Sequence, residues 1–160
     1  MAFYYTVAGL AAGASYATQA TPNTEDETVA LRQTTRNCDV WGISCNGRAS
    51  AATTISGISY IVRRWTTVGT GGTAVTPAPT RIGTTAGTVC ADKASAITPG
   101  TVSGVIVKAL GCGKAGPGGW VARDQDDCLT LEAGSADEFA IYSLAGEASL
   151  SHYVSATIGE

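Results

Sequence analysis

Apolar and polar residues alternate along this chain with a period of two. In the run 147–158, Ala148, Leu150, His152, Val154, Ala156 and Ile158 share one parity. Glu147, Ser149, Ser151, Tyr153, Ser155 and Thr157 share the other. Successive side chains of an extended strand point to opposite faces, so this pattern predicts a strand with one buried and one wet face. Phe139, Ile141, Ser143 and Ala145 alternate in the same way just before it. Gly146 and Glu147 link the two runs, which predicts a closing β-hairpin. His152 falls on the buried parity and is expected in a core or between subunits.

Weaker signals predict strands at 3–10, 28–32, 37–46, 55–66, 101–110 and 128–133, about eight in all. Trp41, Ile43 and Cys45 share a face of the third of these, and Asn46-Gly47 signals a turn after it. The run 101–110 is apolar on both parities and is expected to be a central strand. The predicted fold is all-β: a single antiparallel β-sandwich domain over residues 1–160, with 1–35 as a peripheral first strand and linker. Residues 66–100 hold six Gly, three Pro and three charged residues without clear periodicity. They read either as hidden short strands, 89–91 among them, or as an extended arm on another surface. Pro77 and Pro79 bracket Ala78 and favour an extended path.

Composition sharpens this picture. Ala, Gly, Ser and Thr supply 80 of the 160 residues, and Val plus Ile outnumber Leu by 21 to 7. Excess β-branched residues favour strands. Charged residues make up only 14%, well below the usual quarter or so. A surface of Thr, Ser and Gly suits a protein that packs against copies of itself or a structural virion or secreted protein. A GC-rich coding bias would yield the same numbers. The net charge is −3, with three Lys and seven Arg. Phosphate neutralisation needs clustered cations, so no nucleic-acid partner is expected. Arg63 and Arg64 sit within a predicted strand and point to opposite faces. The apolar stretch 3–17 has no positive n-region and is too short to cross a membrane, so neither an export signal nor a membrane partner is expected.

Reaction chemistry is poorly represented. Gly111-Cys112-Gly113-Lys114-Ala115-Gly116 matches G-x-G-x-x-G literally, but Pro117-Gly118-Gly119 stops the helix that a dinucleotide site requires. It reads as a loop. Asp124-Gln125-Asp126-Asp127 lacks EF-hand spacing and reads as a solvated acidic turn. With one His and no C-x-x-C, no metal site is expected. No nucleophile elbow or matched carboxylate pair supports an enzyme, a cofactor or a small-molecule substrate. Cys38 and Cys45 share a predicted strand about 23 Å apart, too far to bridge, and their parity puts them on opposite faces. The five cysteines read as buried thiols; one disulfide between distant strands, such as Cys112 with Cys128, is the alternative. Trp120 follows a glycine-rich turn and suits either the core or an interface.

The run Gly71-Gly72-Thr73-Ala74-Val75-Thr76-Pro77-Ala78-Pro79 and the run Gly116-Pro117-Gly118-Gly119-Trp120 resemble small virion proteins of tailed bacteriophages. With the Leu129/Leu131 strand and the end Ala156-Thr157-Ile158-Gly159-Glu160, residues 36–160 resemble jelly-roll head decoration, or cement, proteins. The resemblance implies a homotrimer at three-fold positions on the outer capsid, bound to the major capsid protein and made in the host cytoplasm. Glu25-Asp26-Glu27 and the cysteines have no counterpart in that pattern. The expected interface residues are Trp65, Pro77, Pro79, Trp120 and Tyr153. The competing reading is a carbohydrate- or receptor-binding sandwich of a phage tail or secreted protein, with Trp65, Trp120 and Tyr153 as an aromatic platform.

Overall fold

The computed structural model describes residues 4–8, 17–18, 26–32, 37–49, 57–67, 70–73, 78–79, 93–98, 102–113, 117–132, 138–145 and 150–159. Thirteen strands are present among them: β1 (Tyr4–Ala8), β2 (Ala17–Thr18), β3 (Asp26–Arg32), β4 (Cys38–Ala49), β5 (Gly57–Trp65), β6 (Thr70–Thr73), β7 (Ala78–Pro79), β8 (Lys93–Thr98), β9 (Val102–Gly113), β10 (Pro117–Val121), β11 (Leu129–Leu131), β12 (Glu138–Ala145) and β13 (Leu150–Gly159). The fold is the all-β sandwich that the alternation predicts. One sheet runs β10-β4-β13-β1-β7, with β11 beside β4 and β2 beside β13. The other runs β6-β8-β3-β12-β5-β9. Every pairing is antiparallel.

The eight predicted strands are all present. The five additional ones, β2, β6, β7, β8 and β10, span two to six residues. Their sequences, rich in Gly, Pro, Ala and Thr, hold too few large apolar residues to mark an alternation. Three of them, β6, β7 and β8, lie within 66–100, where hidden short strands are one of the two readings; 89–91 lies outside the described residues. β7 pairs with β1, placing Pro79 opposite Tyr5 in the chain's own sheet.

The core lies between the sheets. Leu31, Tyr60, Val62, Phe139 and Ile141 of the second sheet meet Val40, Ile43, Val154, Ala156 and Ile158 of the first. Burying one such aliphatic side chain contributes about 1.5–3 kcal/mol. In β13 the parity is as predicted: Val154, Ala156 and Ile158 are buried, while Ser155 and Thr157 are half-buried. At the centre of the second sheet, adjacent residues are buried in pairs, Ala30 with Leu31 and Ala140 with Ile141. Neighbours point to opposite sides, so both faces are removed from solvent there.

Five expectations need correction. The last two strands are not a hairpin: β12 pairs with β3 and β5, and β13 pairs with β4, β1 and β2. Alternation specifies a strand and its wet face but not its neighbour. Asn46-Gly47 is no turn; both residues lie inside β4, opposite Tyr153 and His152. The strand β9 is an edge strand, pairing among the described residues with β5 alone. Its apolar character instead reflects Val107 and Leu110 packing on the core while Ile106 stands 52% exposed. Gly111 to Gly113 belong to this strand rather than to a loop.

The cysteines supply the fifth correction. Thr157 pairs with Gly42 and Ile158 with Val40, so Trp41 is an extra residue in β4. Such a bulge inverts the parity of everything beyond it. Cys38 and Cys45 therefore both face the core at 1% exposure, rather than opposite sides. Cys45 and Cys128 are thiols, whereas Cys38 is disulfide-bonded. Five thiols are thus not what the chain carries, and a Cys112–Cys128 bridge is ruled out.

Candidate functional site

The best-defined surface feature is the flank where the edge strands β9 and β10 come together, closed by the turn Gln125–Asp127. Glycine builds its first wall. Gly119 sits at φ +153, a conformation that L side chains rarely adopt. A Cβ there would stand 2.3 Å from the carbonyl oxygen of Ile43. The β10 backbone therefore lies tight against β4, with Trp120 in register with Ile43 and Ala122 N–H donating to Trp41 O at 2.8 Å. Residue exposure alternates along β10, turning Trp120 inward onto the core and Val121 outward. Val121 is 75% exposed.

Beyond β10 the chain makes a capped turn. The Asp124 carboxylate accepts from Asp127 N–H at 3.1 Å, the usual role of a short acid at a helix start. The Cys128 N–H donates to Gln125 O at 3.2 Å. This geometry aims Asp127 at the neighbouring sheet, where Lys108 Nζ of β9 donates to its Oδ1 at 2.9 Å. Arg123 N–H donates to Oδ2 at 3.3 Å. The Lys108 ammonium also lies 4.4 Å from the Trp120 ring centroid. A cation over an indole face is attracted by its quadrupole. One lysine thus ties the edge of the second sheet to the turn and to the aromatic ring of the first. Asp39 of β4 completes the flank, accepting from Gln125 Nε2 and from Thr130 Oγ1, the latter at 2.7 Å.

Two groups on this flank have shifted acidities. Hydrogen bonds from Lys108 and then from Arg123 N–H hold the Asp127 carboxyl below the usual range. Cys128 lies beside it, its thiol 3.5 Å from Asp124 O. Burial, and then the charges of Asp39, Asp127 and Asp124, push that thiol above its ordinary value. The thiolate is the nucleophile, so this cysteine is held in its unreactive form at neutral pH. Among the described residues, no group of three His, Cys, Asp or Glu is placed to hold a metal ion. No helix among them is long and apolar enough to cross a membrane.

The Lys108–Asp127 pair carries a pH prediction. A carboxyl held low in the folded state contributes stability that is complete above its unfolded value, about 3.9. That contribution disappears as pH falls through the lower folded value. Asp127→Asn should therefore lower Tm at pH 7, and the gap to the native chain should close from about pH 4 downward. Calorimetry across this range tests it; a gap independent of pH would remove Lys108–Asp127 as its source.

Of the residues expected at an interface, only Trp120 has a described side chain. It is half-buried, packs against the core and takes Lys108 on its ring. Trp65 ends β5 opposite Glu138 and Val102, and Tyr153 lies in β13 opposite Asn46. Their side chains, like that of His152, lie outside the described residues, as does Pro77 entirely. Trp65 belongs to one sheet, and Trp120 and Tyr153 belong to the other. The acidic run is a turn as expected, but Asp127 in it is half-buried and paired rather than merely solvated. Lys108, Asp127 and Asp39 are the residues that sequence reasoning missed as a cluster. A lone lysine in the apolar run Val105-Ile106-Val107-Lys108-Ala109-Leu110 was the one available signal. No protein-family model, curated protein or solved structure matches this chain.

Proposed function

We propose that this chain is a structural virion protein, a decoration protein that seats as a homotrimer on the outer surface of an assembled bacteriophage head and stabilises it. The observation that carries the proposal is the β10 flank. The Gly116-Pro117-Gly118-Gly119-Trp120 run, one basis of the decoration-protein resemblance, leads directly into the outward Val121, exposed at 75%. Behind it, Trp120, Lys108 and Asp127 form a braced, chemically quiet support. Low overall charge supports the same reading, because contacts made with such a surface are apolar and hydrogen-bonded rather than ionic. A protein that binds the assembled lattice and not its free subunits raises the lattice's resistance to heat by mass action.

The test is binding to capsids that lack the protein. At low salt it should co-sediment with them and raise their melting temperature. Attachment should survive about 1 M salt, where the Debye length is about 3 Å and exposed ion pairs are screened. Burying a valine side chain contributes about 1.5 kcal/mol, so Val121→Asp should weaken attachment about tenfold or more. Failure to bind at low salt would defeat the decoration reading. Binding that is unaffected by Val121→Asp would move the contact off the β10 flank.

A further inference from the structure

We draw no further inference here: the strongest candidate, the apolar surface at the exposed Ile106 on the edge strand β9, carries nothing because nothing in the structure shows what covers it.

Discussion

Gly119→Ala is expected to loosen β10 from β4 and to take the candidate site with it. The added Cβ would stand 2.3 Å from the carbonyl oxygen of Ile43 and 3.1 Å from Ser44 Cα. Both obstacles are backbone atoms of a strand that is itself paired with β13, so neither can swing aside as a side chain would. The φ of +153 adds its own strain, of order 1–3 kcal/mol for a residue with a Cβ. Stability of about 5–15 kcal/mol is usual for a whole domain, so the loss is a large fraction of it. For a chain of this size, 1 kcal/mol corresponds to roughly 2–4 °C in Tm. A fall of roughly 10 °C is expected, together with a shift in tryptophan emission as Trp120 leaves the core and the Lys108 ammonium. An unchanged Tm would mean that β10 adapts without strain, and the glycine requirement would be wrong.

Ile141→Ala tests the other half of the molecule. Ile141 is fully buried in β12, between β3 and β5, and it pairs with Val29 and Val62. Truncation removes its transfer energy and leaves a cavity that neighbours on both sides are too constrained to fill. Such a change costs about 2–5 kcal/mol, whereas Ile141→Val should cost about 0.5–1.5 kcal/mol. Denaturant titration of both variants measures this directly. Equal and small losses would show that the second sheet closes over the gap, contrary to a core shared by both sheets. Because Ile141 lies away from the β9–β10 flank, the milder variant should leave the Trp120 emission as it is.

These two variants separate what is legible in one dimension from what is not. The predicted strand containing Ile141 could be read from the alternation of Phe139, Ile141, Ser143 and Ala145. Gly119 could be read only as part of a glycine-rich turn, since the need for glycine arises from an Ile43 carbonyl 76 positions earlier. Lys108 and Asp127 are 19 residues apart and belong to no helical or strand period in common. Asp39 and Thr130 are 91 apart. Nothing local marks such pairs.

By itself, then, the sequence determined the class of the protein. A period of two, β-branched excess and glycine punctuation leave an antiparallel sandwich as the fold that buries one parity of each strand. Eight strands were visible because large apolar residues mark each of them. The tertiary structure decided which strands adjoin, since the same alternation serves any neighbour. It sent β12 and β13 to different sheets and placed β9 at an edge. It also decided parity at one inserted residue, Trp41, which turns both Cys38 and Cys45 inward. Pairing is a long-range choice made by packing, and the β9–β10 flank exists only once that choice has been made.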